Sequence, residues 1–387
     1  MKISVLVPGR LHGFDMAIYF QKLGVLNQLV TGYPLKYVLP FGIEKQYVKS
    51  IYINEIINRT TNFIGIGYPL DFLACEAFDF LASKVIKYDS DAYFIWSSYG
   101  EKTIRKIRAK NPIAKIILVR GSTHINTHES LLRQVNNTSK QQINIRIVEK
   151  ELKEYQLADY ISVPSTFAME SFISCGIRKE KLFLNLLGVS LEQFPFFEKR
   201  TPEKVITFGN VGTLSKQKNV EDVINVIKKL NKKTPIYKLV LAGPIEEGTF
   251  DKNLLNEEFI TYFGKVDQSQ LYQVYQKIDV FIINSVQEGM AMVQLQAMSS
   301  GCPLISTTNS GGADLIKGFE NGILISAMDN IALENAINWF SKNKDKITEM
   351  GRYSRAITED GFTWDDFGKR NIEFIKQILI ENSSSGL

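Results

Sequence analysis

Residues 279–314 read DVFIINSVQEGMAMVQLQAMSSGCPLISTTNSGGAD and hold the chain's most suggestive spacing of chemical groups. A carboxylate, Glu288, is followed by Gly289 and, eight positions on, by the amide of Gln296. If every step were helical the two would stand roughly 12 Å apart. That is too far to grip one atom, but it suits the two ends of an elongated ligand. The helix expected to start near Met290, Ala291 and Met292 offers unpaired N–H groups and the positive end of its dipole, a seat for phosphate. Gly311 and Gly312 could add backbone N–H groups.

A second candidate is the loop GRLHGFD, residues 9–15, after the apolar run 3–7. Gly9 and Gly13 are four apart. That spacing matches neither the dinucleotide fingerprint nor the phosphate loop ending in Lys-Ser/Thr, but it lets a ligand approach the backbone beside a helix N-terminus. The same loop carries His12 and Asp15. Asp15 reads first as a residue bordering the first helix, with contact to an acceptor as the sharper alternative. Another of the three histidines, His124, follows a strand in RGSTHI. On residue type alone, Glu288, Lys218 and His124 are an ordinary loop carboxylate, a solvated lysine and a satisfied hydrogen-bonding group.

The elements that would position these groups alternate. Short apolar runs, several of them closed by Pro or Gly, lie at residues 3–7, 92–96, 115–119 and 160–164, and again at 205–211, 238–242, 259–263, 280–283, 304–306 and 321–325. Helical segments are expected at 14–22, 101–110, 149–157, 219–230, 268–276, 331–340 and 366–380. The alternation predicts two parallel sheets covered by helices, an α/β fold of two Rossmann-like domains facing a deep cleft. FPFFEKRTPEK, residues 194–204, is the expected linker. It gives an N-terminal, acceptor-side domain over 1–197 and a C-terminal, donor domain over 198–363, with a last helix near 364–382 packing back on the first. Residues 33–90 are rich in Tyr and Phe and give no clear order of elements.

With 387 residues, 44% hydrophobic and 22% charged, the chain has the composition of a globular protein of two domains. A net charge of +5 permits an acidic ligand without pointing to nucleic acid. Cys75, Cys175 and Cys302 lie far apart and odd in number, which fits buried thiols in a reducing cytoplasm. No stretch is apolar enough to span a membrane, and the sequons at Asn58, Asn136 and Asn137 read as accidental. The basic helix 101–110 reads as a solvated face, or else as a surface meeting anionic lipid at the inner face of the membrane. The terminal NSSSGL reads as a flexible tail.

EGMAMVQLQAMSSGCPLIST followed by GGAD, together with GNVGTLSKQKNVEDVINVIKKL, LVLAGP, EYQLADYISVPSTFAMESFISCGI and LGVSLEQF, resembles family 4 of the retaining glycosyltransferases, which have the GT-B fold. The likeness covers most of the chain and is strongest over 154–314. It implies a nucleotide-diphosphate sugar as donor substrate, a saccharide or lipid-linked acceptor, and no cofactor or metal; no Asp-x-Asp cluster sits where a metal would be held. It places Glu288 on the donor sugar, Gly289 and the Met290–Met292 N–H groups near sugar and phosphate, Lys218 on the diphosphate and His124 at the reaction centre. Gly9 and Gly13 would border the donor, with His12 and Asp15 on the acceptor side. Three positions depart from the pattern, one being Asp314, which stands where Glu is common. Gln296 replaces the glutamate that holds the ribose, and Thr213 replaces an arginine of the diphosphate site, so Lys216 or Arg10 would have to supply that cation. The implied reaction belongs to polysaccharide, lipopolysaccharide or other glycolipid biosynthesis. The alternatives are a sugar-nucleotide epimerase or a non-catalytic relative that binds a ligand or partner.

Overall fold

The computed structural model describes residues 1–54, 56–57, 67–234 and 236–384; the sequon at Asn58 and the last three residues of the NSSSGL tail lie outside them. The first half begins with β1 (Ile3–Val7), β2 (Leu26–Thr31), β3 (Val48–Ser50) and β4 (Ala92–Trp96). It continues with β5 (Lys115–Val119), β6 (Tyr160–Val163) and β7 (Leu182–Leu184). Among the described residues these form one sheet in the order β3-β2-β1-β4-β5-β6-β7, and the recorded pairings are parallel. β1 and β4 are buried along their whole length. A strand buried on both faces has no polar side to present, which is why each is a continuous apolar run.

The second half repeats the pattern. β8 (Ile206–Val211), β9 (Tyr237–Ala242), β10 (Ile260–Tyr262), β11 (Val280–Ile283), β12 (Leu304–Thr307) and β13 (Gly322–Ile325) form the order β10-β9-β8-β11-β12-β13. Strand order reverses at β1/β4 in one sheet and at β8/β11 in the other, the two places where an open parallel sheet splays its loops and leaves a crevice.

The chain crosses between the sheets over residues 185–205, and this stretch is packed rather than loose. Phe194 is buried, and Lys199 is buried with its ammonium donating 2.7 Å to the carbonyl of Tyr275. The last helix, Trp364–Ser384, returns to the first sheet and lies on the helix Gly13–Lys22. A Cβ on Gly368 would sit 2.2 Å from the ring of Tyr19, so the two backbones need a residue without a side chain there.

Several expectations are corrected. Cys175 is exposed, whereas Cys75 and Cys302 are buried. Residues 268–270 form a 3-10 turn, and the α-helix begins only at Leu271. On the helix Glu101–Lys110 four of the five cations have partners, while Arg105 and Lys110 stay exposed. Lys102 pairs with Glu76, Arg105 with Glu101 and Arg108 with Asp159, while Lys106 donates to the carbonyl of Ser83. Among the described residues no helix is long and apolar enough to cross a membrane.

Candidate active site

The loop after β8 and the loop after β11 emerge side by side at the switch point of the second sheet. The first delivers Lys218 and the second Glu288, and their side chains form an ion pair. Both are mostly buried, at 23% and 16% exposure, so the pair is shielded without being sealed from solvent. The Ser285 hydroxyl donates a further 3.2 Å bond to the same carboxylate oxygen. Asn284 fixes the loops together through a 3.2 Å bond to the carbonyl of Asn219.

Beyond Glu288 the chain enters the helix Met292–Ser299, with Ala291 at its N-cap. The N–H groups of Glu288 and Ala291 are already engaged, by the carbonyls of Asn309 at 2.9 Å and Ser310 at 3.1 Å. The Ala291 N–H is therefore not free for phosphate, which leaves the first helical residues, Met292 and Val293, to supply N–H groups there. Met290 is buried, and its sulfur accepts from the N–H of Leu187 at 3.4 Å. Gly311, at φ 79°, makes the left-handed turn that brings residues 309–312 against Met290.

Gln296 lies one turn into the helix with 6% exposure. Its Oε1 accepts a 2.8 Å hydrogen bond from the buried hydroxyl of Tyr275. It lines a cavity of about 490 Å³ at the seam between the domains, together with Met292, Gln268, Arg10, Leu11, Asp15, Trp364 and part of the crossover segment. Arg10 donates 2.7 Å to Gln268 and lies over the ring of Phe41. Of the two cations named as substitutes at the Thr213 position, Arg10 lines this cavity, whereas Lys216 is exposed. Thr213 is half-buried beside Gly212. Burial pushes the Asp15 carboxyl up to about 6, against the pull of Arg10. A larger concavity of about 720 Å³, lined by Phe319, Trp339 and Tyr353, holds none of the candidate residues.

From the first sheet, the loop after β1 brings Arg10 and Asp15 into the cavity, while Gly9 is half-buried beside Tyr33. Gly13 packs its backbone against Trp96 and Val7 instead. His12 is buried, with its ring 4.9 Å from Trp96 and 5.6 Å from Phe367. Burial holds it down at about 4, so it is neutral at pH 7. His124 is also buried, and its Nδ1 accepts from the N–H of Asn126, capping the helix Ile125–Val135. Its ring packs 5.0 Å from Tyr155 and 5.1 Å from Phe172. Burial, with Arg120 nearby, holds it at about 4. The residues of this loop that meet the second domain are Gly121, Ser122 and Thr123.

Two contacts at the seam had no signal in the sequence. The Asp314 carboxylate accepts from the N–H of Thr166 at 2.9 Å and from its hydroxyl, capping a helix of the opposite domain. Ser165 Oγ donates 2.5 Å to the carbonyl of Gly289. Asp89-Ser90-Asp91, the one Asp-x-Asp tripeptide near a candidate strand, sits at the amino end of β4 with both carboxylates bonded to Lys2. That is the edge of the sheet away from the loops described above.

Residues 192–357 match the family model of glycosyl transferases group 1. The match takes in Lys218, Glu288 and Gln296. Among relatives, spore coat protein SA of Bacillus subtilis is 26% identical over 174 residues, 42% of this chain and 46% of that protein. The putative colanic acid biosynthesis glycosyltransferase WcaL of Escherichia coli is 23% identical over 198 residues, 48% of this chain and 49% of that one. The chain thus spans about half the length of these relatives. Whole-chain likeness is structural. The sucrose-phosphate synthase of Thermosynechococcus elongatus superposes with a TM-score of 0.70 at 14% identity, covering 98% of this chain and 100% of the other. Anabaena HepE, solved with UDP-glucose, gives 0.67 at 14%, covering 97% and 100%. The two-sheet architecture is the GT-B fold.

Proposed function

We propose that the chain is a retaining glycosyltransferase that moves a sugar from a nucleotide-diphosphate donor to an acceptor hydroxyl, in the family 4 manner and without a metal. The observation carrying this reading is the Lys218–Glu288 pair, held at the switch point of the second sheet beside a helix N-terminus and next to a seam cavity lined by Gln296 and Arg10. A cation and a carboxylate side by side suit the two chemistries of such a donor, an anionic diphosphate and a hydroxylated sugar. Lys218 and the free N–H groups of Met292 and Val293 would stabilise charge growing on the leaving diphosphate. The bond from the anomeric carbon to the phosphate oxygen breaks, the bond to the acceptor oxygen forms on the same face, and the acceptor proton passes to the departing phosphate oxygen. Neutral, buried His124 would act by holding its loop rather than as a base. Gln296 would reach the ribose, with Arg10 as the second cation near the diphosphate.

The acceptor is a saccharide or a lipid-linked saccharide of a cell-surface polysaccharide or lipopolysaccharide pathway, met in the cytoplasm or at the inner face of the membrane. The names of the relatives support this setting, since WcaL is assigned to colanic acid biosynthesis and a Staphylococcus aureus relative, 23% identical over 206 residues, to capsular polysaccharide. The test is incubation with a panel of nucleotide sugars and saccharide acceptors, following both glycoside formation and nucleotide release. Glycoside from the wild type, lost in folded Glu288→Ala and Lys218→Ala variants, supports the reading. Near-wild-type turnover in both variants, or an epimerised donor as the only product, sinks it.

A further inference from the structure

Gln287, immediately before Glu288, is assigned nothing by motif or family match, yet it is 1% exposed and bonded on every side. Its side-chain amide donates to Ser122 Oγ at 2.6 Å and to Thr123 Oγ1 at 3.2 Å, both in the first domain. Its backbone carbonyl and its Oε1 both accept from Nε2 of Gln217, at 2.8 and 2.9 Å. Gln217 immediately precedes Lys218, and its own carbonyl accepts from the N–H of Val286 at 2.9 Å. One side chain thus ties the first domain to both loops of the Lys218–Glu288 pair.

The first-domain end of this tie is itself anchored. Arg120 Nε donates 3.1 Å to the carbonyl of Thr123, and its Nη1 pairs at 3.2 Å with the buried carboxylate of Glu151. The two backbones also meet directly. A Cβ on Gly289 would lie 2.0 Å from the carbonyl oxygen of Gly121, so this approach is open only to glycine. Gly289 has no positive φ, so that constraint is the neighbouring domain and not its own backbone. Opening the cleft would strip the Gln287 amide of Ser122 and Thr123 and leave its Gln217 bonds within the second domain.

We propose that Gln287 is a positioning residue that couples closure of the two domains to the alignment of Lys218 and Glu288, an inference that rests on the glycosyltransferase reading. Its hydroxyl partners are present only in the closed arrangement, and its Gln217 partner fixes the loop that carries the diphosphate-binding cation. A buried amide deprived of two acceptors costs free energy, so the closed state and the aligned donor grip stabilise each other.

The experiment uses the full-length chain with spin labels at Ile113→Cys and Ile331→Cys, both strongly exposed and one on each domain, in a Cys175→Ser background. Pulsed electron–electron distance measurement on this chain should give one short population. Gln287→Ala should add a longer one, and Gly289→Ala should shift most of the distribution to longer distance, with circular dichroism showing both variants folded. Ser122→Ala/Thr123→Val should reproduce the Gln287→Ala distribution, and combining all three should change it no further. With whichever donor the panel returns, kcat/KM of Gln287→Ala should fall about tenfold or more, mainly in kcat, since two hydrogen bonds across the seam and one from Gln217 are lost. Unchanged distances in Gln287→Ala, or additive effects in the combined variant, would overturn the coupling. If the wild type transfers no sugar, the glycosyltransferase reading fails, and the distances still decide whether Gln287 holds the domains closed.

Discussion

Glu288→Gln gives the most discriminating prediction because it separates two jobs that an alanine scan would merge. The Glu288 carboxylate pairs with the Lys218 ammonium, so on the proposed reading a diphosphate would compete for that cation. A unit charge pair about 4 Å apart in a protein surface environment interacts by about 4 kcal/mol before desolvation and ordering are counted. Those terms leave a net pair energy of about 1–2 kcal/mol for groups still reached by solvent. The substituted amide would keep the shape and the Ser285 bond but release the lysine. Bare UDP or GDP should therefore bind roughly 5- to 30-fold more tightly to the variant. Sugar transfer should move the other way. Loss of a charged acceptor on the donor sugar removes about 1.5–3 kcal/mol of transition-state stabilisation, roughly 10- to 150-fold in kcat/KM. Titration calorimetry with the nucleotides, set against turnover, reads both. If Glu288→Gln weakens nucleotide binding in parallel with Lys218→Ala, the carboxylate does not compete for the lysine and the assignment of roles is wrong.

Further predictions concern the cavity, the titrating groups and the first domain's interior. Gln296→Glu keeps the Tyr275 bond and adds a charged acceptor for ribose hydroxyls, so nucleotide affinity should hold or rise up to about tenfold by calorimetry; a large loss would show that this side chain does not meet the ribose. His12, His124 and His128 are held by burial at about 4, 4 and 3, each below its unfolded value. The stability they contribute is present above about pH 6.5 and is lost as pH falls toward 4, and urea midpoints that stay flat from pH 7 to 5 would contradict this. Asp15 runs the other way. Its folded value of about 6 lies above the unfolded one, so its contribution is full below about pH 4 and is lost as pH rises through 6. Asp15→Asn should therefore gain stability relative to the wild type as pH rises over that window. Lys150→Met removes the cation between Glu76 and the fully buried Asp79, and should cost about 3–5 kcal/mol by urea denaturation; a loss under about 1 kcal/mol would mean the charges are compensated by water.

What the sequence revealed follows from what each element buries. β1, β4, β5 and β11 match their expected bounds to the residue, because a strand covered on both faces must be a bounded apolar run. The helix Gly67–Val85 was illegible because its apolar residues show little one-sided periodicity, so neither period stands out. The helix Ile145–Leu157 was expected over 149–157, and its charged residues Lys150, Glu151 and Glu154 are buried on it. Their partners, Asp79, Arg120 and the N–H groups of Ser98 and Gly100, come from other elements, and no local pattern announces them. Burial pushes Glu154 up to about 8 despite those N–H donors.

The site divides in the same way. Lys218, Glu288 and Gln296 were singled out by resemblance, since nothing in their residue type sets them apart from surface groups. Arg10 was named only as a stand-in for a missing arginine, and the cavity lining is what raises it. The contacts of Gln287, Asp314 and Ser165 across the seam were beyond reach, because their partners lie 148 to 165 positions away for Asp314 and Gln287 and 124 for Ser165.

The central claim is transfer of a sugar with its anomeric configuration kept. Proton NMR of a reaction containing the donor selected by the panel tests it most directly, because the anomeric coupling of the first-formed glycoside reports the configuration before any later equilibration. The account predicts a product with the donor's own configuration, formed in step with release of nucleoside diphosphate and absent with Lys218→Ala. An inverted glycoside, or diphosphate release that persists undiminished in that variant, would contradict it.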